Sequence, residues 1–177
     1  RNGFVQPLVD KVLLDGLKRF PCTSVRFCTE VVDLHEDDAG VVATTASGEK
    51  LRTTYVISAE GGASATRMRM NISFEGETRP SCGIVIDVAN DPIGTPHAVF
   101  GGDPKRSYAS IALPHGIRRW EFTLFESEDP ALVDNDEFIF ELLASHVPDP
   151  RKLDIIRRRV YRHHARVAGK FKIGKIL

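Results

Sequence analysis

The pattern of apolar and polar positions divides the 177 residues into three stretches. From Pro7 to Arg19, Val9, Leu13, Leu17 and Phe20 recur at helical spacing, with Val12 beside them. The pattern predicts a helix that begins on a first-turn proline and stops where Phe20-Pro21 forces the backbone out of helical angles. A short apolar strand is expected at 25–27. Runs at about 29–36, 41–46 and 50–54 follow, separated by Asp37-Asp38-Ala39-Gly40 and Ser47-Gly48-Glu49. These turn residues predict an antiparallel meander, inserted between 25–27 and 55–59 as strands of one parallel sheet.

The run Tyr55-Val56-Ile57-Ser58-Ala59 ends in Glu60-Gly61-Gly62 and resumes with small, helix-tolerant residues to about Met70. A strand that opens into a glycine turn and then a helix brings backbone N–H groups close to an anionic ligand. The same dipeptide is also ordinary turn punctuation, so both readings stand at this stage.

Beyond Met70 the period changes to two. Residues 82–90, 97–101, 107–113 and 119–125 alternate apolar and polar, with turns at Asn90-Asp91-Pro92, Gly101-Gly102-Asp103-Pro104 and Pro114-His115-Gly116. An antiparallel sheet large enough to form its own lobe is expected. Asp134-Asn135-Asp136-Glu137 resembles a capping arrangement that opens a helix through about Ser145. Pro148 and Pro150 close that helix, and Leu153 to Arg162 returns to strand alternation.

Composition changes this picture in three ways. A hydrophobic fraction of 42% with 27% charged residues is that of a globular domain with a real core. No apolar run approaches the roughly 18 to 20 residues needed to cross a bilayer, so no membrane partner is expected. Cys22, Cys28 and Cys82 are odd in number and lack metal-site spacing, which reads as free thiols in a reducing, cytoplasmic setting.

The formal net charge is zero, yet residues 151–177 carry ten Lys/Arg against Asp154 alone. Such a stretch suits a phosphate or nucleic-acid surface, or a strand face paired with acidic neighbours. Without interleaved aromatics the second reading is preferred, and no nucleic-acid partner is expected. His163-His164 is a poor metal site, since adjacent strand residues point to opposite faces. The chain opens on Arg1 and stops inside Phe171-Lys172-Ile173-Gly174-Lys175-Ile176-Leu177, which reads as a piece of a longer protein with Ile176-Leu177 entering a buried strand.

Two separated motifs carry a resemblance: the opening Arg1-Asn2-Gly3-Phe4-Val5-Gln6-Pro7, and Glu60-Gly61-x-x-Ser64-x-x-Arg67. In this order the chain resembles the FAD-dependent aromatic hydroxylases of the p-hydroxybenzoate hydroxylase class. Asp87 to Pro92, Ser110 to Arg119 and Arg157 to Arg166 are similar to the 3-(3-hydroxyphenyl)propionate hydroxylases in particular, so the resemblance covers essentially the whole chain.

The resemblance implies a mixed α+β and α/β fold. Residues 1–70 would form part of an FAD-binding lobe with its β-meander, 71–165 an antiparallel substrate lobe, and 166–177 a return toward the FAD-binding lobe. It also implies FAD and NADH as cofactors, and oxygen-dependent hydroxylation of a small phenolic acid. Gln6, Glu60, Gly61 and Arg67 would contact the cofactor. The family usually has Asp-Gly where this chain has Glu60-Gly61, a departure that lengthens the acid by one methylene.

The substrate's carboxylate calls for a cation and its phenol for a hydrogen-bonding or basic group. Tyr108, His115, Arg118, Tyr161 and His163 are the candidates for the pocket wall. The two tyrosines also read as half-buried strand residues, Arg118 as a surface ion pair and His115 as a turn residue. A non-catalytic ligand-binding or interaction domain on the same scaffold is the alternative from a different class.

Overall fold

The computed structural model describes residues 3–177, so Arg1 and Asn2 of the opening motif lie outside the described residues. In chain order the elements are helix α1 (Gln6–Leu17), strands β1 (Val31–Asp37), β2 (Gly40–Thr45) and β3 (Lys50–Thr53), and the short helix α2 (Ala65–Arg69). Then come strands β4 (Phe74–Ala89), β5 (Val99–Gly101), β6 (Tyr108–Leu113) and β7 (Ile117–Leu124), helix α3 (Asp136–Leu143) and strand β8 (Asp154–Ala168). They fall into two compact units. One comprises the chain up to Arg19 with Thr78–His164; the other comprises Phe20–Glu77 with Ala165–Leu177.

The first unit is built on a sheet ordered β5-β6-β7-β4-β8. Alternation sorts its side chains: β7 buries Arg118, Trp120, Phe122 and Leu124 and leaves the residues between them half-exposed. Ile84, Ile86 and Val88 of β4 lie in register with this face, Ile84 opposite Phe122 and Ile86 opposite Trp120. Helix α3 covers it with Ile139, Leu142 and Leu143, and Val147 closes the cluster. The cap of α3 is Asn135, whose Oδ1 accepts from the Phe138 amide at 3.1 Å, and Asp136 and Glu137 place negative charge in the first turn.

Strand β4 begins eight residues before the expected start. Gly76 and Pro80 argue against a strand, but the β4–β7 ladder starts only at Cys82, so Pro80 lies outside it and removes no bond from it. Helix α1 forms as the periodicity predicts, yet none of its residues is buried.

The expected basic face of β8 is paired in part. Arg158 meets Asp136 at 2.6 Å, and Arg157 lies 3.9 Å from Asp87. Arg151 and Lys152, just before β8, meet Glu137 and Asp149.

The second unit holds the meander, β1-β2-β3, with the middle strand buried through Val41, Ala43 and Thr45. Its first turn needs Gly40, whose φ is +150° and where a Cβ would lie 2.3 Å from the Thr53 carbonyl oxygen.

The expected parallel pair is corrected. Residues 25–27 are not a strand: Val25 and Phe27 are exposed, Cys28 has a φ of +53°, and Arg26 reaches Glu49 instead. The parallel partner of the 55–59 run is the end of the chain. Val56 bridges Ile176, the Ser58 amide donates to the Leu177 carbonyl at 2.6 Å, and the Leu177 amide donates to the Val56 carbonyl at 2.8 Å. Ile176 is buried there.

Candidate functional site

In the second unit, the 55–59 run is held by an isolated bridge at Val56 rather than forming the expected strand, and it leads through the glycine turn into α2 with an internal lock. Glu60 turns back toward the start of α2. Its Oε2 accepts from Ser58 Oγ at 3.0 Å, Ser64 Oγ at 2.5 Å and the Thr66 amide at 2.9 Å, while Oε1 accepts from Thr66 Oγ1 at 3.1 Å. These donors stabilise the ionised form, the Ser64 hydroxyl most of all, and lower the carboxyl to about 2. Ser64 is also the N-cap of α2, accepting from the Arg67 amide at 3.0 Å. The carboxylate that the sequence pointed toward a ligand is therefore held by the chain itself.

Because the folded pKa lies below the ordinary carboxylate value, this lock is fully present above about pH 4 and is lost as pH falls toward 2. Glu60→Gln is expected to weaken it at neutral pH. Hydrogen exchange at the Thr66 amide should then quicken, while exchange in β2, outside the loop, stays unchanged.

Gly61 has a φ of +76°, and no atom lies within 4 Å of where a Cβ would stand. It therefore leaves open backbone at the mouth of a cavity of about 350 Å³. Met70, Phe74 and Phe171 give that cavity apolar surface, and Arg67, Arg166, Lys170 and Lys172 add four cations. Arg67 donates to the Gly62 carbonyl at 2.6 Å and stacks over the Phe74 ring at 4.3 Å, so its guanidinium is fixed in place. Arg166 lies over the same ring at 6.0 Å. Gln6 is the first residue of α1 in the other unit and lines none of the cavities described here.

In the first unit, the sheet face opposite α3 carries a cavity of about 490 Å³. Tyr161 and His163, on one face of β8, line it with Phe100, Arg79 and Glu121. The Tyr161 ring crosses β4 over Gly83, where a Cβ would lie 2.4 Å from the ring, and its hydroxyl donates to Glu121 Oε2 at 3.2 Å. Burial, followed by the nearby Glu121 charge, pushes the Tyr161 phenol up to about 12. Its ring meets His163 edge-on, with centroids 4.8 Å apart.

The other candidates sit differently. Tyr108 borders the same cavity, but its ring packs on the helix-covered side, 4.2 Å from His146 and 6.3 Å from Phe122. The surface ion pair expected for Arg118 is corrected to a buried one: the residue is 1% exposed and forked onto Asp91, at 2.8 Å from Nε and 2.7 Å from Nη2. Its remaining donors go to Thr95 and Ser110. His115 occupies the β6–β7 turn with a φ of +64° and lines no cavity described here.

Sequence reasoning missed Arg79, Phe100 and Glu121. The signal available for Glu121 was register: it stands on the exposed parity of β7, opposite Val85 and beside the Gly83 gap. Among the described residues no group of three His, Cys, Asp or Glu is placed to hold a metal ion, and no helix is long and apolar enough to cross a membrane.

The chain is 45% identical over 180 residues to the 3-(3-hydroxy-phenyl)propionate/3-hydroxycinnamic acid hydroxylase of Mycolicibacterium smegmatis, covering 100% of this chain and 32% of that protein. The enzyme of the same name from Comamonas testosteroni is 44% identical, with 100% and 31% covered. The chain thus spans about a third of the length of these curated relatives.

Among solved structures, p-nitrophenol 4-monooxygenase from Pseudomonas putida superposes with a TM-score of 0.88 at 23% identity, covering 98% of this chain and 46% of that one. Aklavinone-11 hydroxylase, in its ternary complex with FAD and aklavinone, gives 0.84 at 21% identity, covering 98% and 35%. These two likenesses concern the fold. The sequence model of the FAD binding domain family matches residues 2–177, and the chain belongs to that family.

Proposed function

We propose that this chain is the middle part of a flavin-dependent monooxygenase that hydroxylates a phenolic acid such as 3-(3-hydroxyphenyl)propionate, using NADH and oxygen. The observation that carries the reading is identity of 44–45% along the whole chain to hydroxylases named for that substrate class. The sheet-face cavity, with aromatic walls, a carboxylate and an arginine, supports it.

The second unit fits FAD. The open backbone at Gly61 and the four cations of the apolar cavity match a flat ring system joined to a pyrophosphate. Gly61 and Arg67 would hold the cofactor, and Glu60 would fasten the loop that presents them. When bound, the flavin supplies the redox and oxygen chemistry. The protein's part is to fix the ring acceptor, exclude water and match its charges.

The test is to put this chain in place of the matching third of the Comamonas testosteroni relative. The chimera is expected to retain flavin, to oxidise NADH faster when the phenolic acid is present, and to release hydroxylated product. A folded chimera that takes up flavin but neither responds to the phenol nor hydroxylates it would overturn the reading.

A further inference from the structure

We infer that Glu121 and Arg79 set the substrate specificity of the sheet-face cavity: the ring hydroxyl of a phenolic acid donates to the Glu121 carboxylate, and its side-chain carboxylate is held by Arg79. This rests on the proposed function and adds residues and an orientation that the homology does not assign.

Four observations support it. Glu121 is half-buried and receives the Tyr161 hydroxyl on Oε2 alone, which leaves acceptor capacity on a carboxylate that lines the cavity. Arg79 lines the same cavity and, among the described residues, its side chain makes no hydrogen bond or ion pair, unlike that of Arg118. Phe100 is 73% exposed, an apolar ring standing at the cavity where an aromatic guest would cover it. Gly83 takes up the Tyr161 ring, so that ring lies close along the sheet and holds its hydroxyl on Glu121.

The Glu121 carboxylate puts negative charge at the cavity wall, where it receives the Tyr161 hydroxyl. Tyr161, a phenol already on this carboxylate, is pushed up to about 12, by burial first and the Glu121 charge second. Arg119, on the Glu121 side of β7, is forked onto Asp87 at 2.7 and 2.9 Å, and its charge opposes that of Glu121 at Tyr161. On β8, Arg157 and Arg159 share the strand parity of Tyr161 and His163, and Arg157 lies 3.9 Å from Asp87.

The test is calorimetric titration of the full chain with 3-(3-hydroxyphenyl)propionate and with 3-phenylpropionate, which lacks only the hydroxyl. A hydrogen bond to a charged acceptor corresponds to roughly a 10- to 100-fold preference for the hydroxylated acid. Glu121→Gln, and Glu121→Ala as a second variant, should reduce that preference to within about threefold. Arg79→Gln should weaken both acids by about tenfold or more and leave their ratio unchanged. Circular dichroism confirms that each variant is folded.

A preference that survives both Glu121 variants overturns the inference, and so does an Arg79→Gln variant that binds as well as the parent. Failure of the parent chain to bind either acid overturns it too. The proposed function is judged separately, by turnover in the chimera: a chimera that hydroxylates while Glu121 variants keep the preference refutes only this assignment.

Discussion

Replacing Arg118 by methionine is expected to destabilise the first unit by about 3–5 kcal/mol, because it leaves the Asp91 carboxylate without its counter-charge in a largely buried setting. The guanidinium is 1% exposed and its donors are spread over Asp91, Thr95 and Ser110. It thereby ties the β4–β5 loop, where Asn90 takes a φ of +55°, to the buried face of β7. Methionine fills much of the same space, so the loss reports the orphaned charge more than a cavity.

The pH dependence follows from Asp91. The Arg118 hydrogen bonds hold its carboxyl below the ordinary range. Its contribution is therefore present above the unfolded value of about 3.9 and is lost as pH falls through the lower, folded value. The gap between parent and variant should accordingly narrow below about pH 4. Urea unfolding at pH 7 and pH 3 measures it. Adding Asp91→Asn to the methionine variant should recover part of the loss, since the amide carries no charge to strand. A gap that is the same at both pH values would remove the ion pair from the explanation.

Trp120→Ala is expected to cost about 3–5 kcal/mol. The indole is fully buried between β4 and α3, in register with Ile86 and within the cluster that includes Ile139 and Leu143. Its Nε1 is buried without a hydrogen-bond partner among the described residues. An unmet donor of this kind costs about 1–3 kcal/mol. Trp120→Phe removes that donor and keeps an aromatic ring, so its loss should be much smaller than that of alanine. Because Trp120 is the single tryptophan, unfolding must be followed by far-UV circular dichroism rather than by its fluorescence. Equal losses for the two variants would show that the indole nitrogen carries an interaction worth keeping.

Periodicity and turn chemistry served well where an element's neighbours are close in sequence. The meander, β6, β7 and α3 each follow from alternation or helical spacing bounded by glycine, proline or Asn/Asp turns. The glycine turn and short helix at 60–70 were legible for the same reason, though the 55–59 run forms only an isolated bridge. Failures arose where a distant segment decides. The tripeptide 25–27 has strand-like residues but no backbone partner strand among the described residues, whereas Val56 and Ser58 find theirs near position 176. Helix α1 shows the opposite case: its pattern was correct, and the same pattern leaves an apolar face uncovered.

The site divides along the same line. Tyr161 and His163 share one face of a strand, which alternation alone can tell. Glu60 was legible as an acid at a glycine turn, but its use as a lock on Ser58, Ser64 and Thr66 was not. Residue type offered Arg118 for a substrate carboxylate; burial and pairing commit it to Asp91, while Arg79, which sequence reasoning missed, lines the cavity.

By itself, then, the order of residues determined which segments are helix or strand, where they turn, and the family to which the whole resembles, because these depend on local backbone preference and on motif spacing. Only the tertiary structure decided which strand lies beside which, that Glu60 is held internally, and that Glu121, Tyr161 and Arg79 line one hollow. Those outcomes depend on burial and on contacts between residues far apart in the chain, where desolvation and geometry settle which charged groups are paired and which stay available.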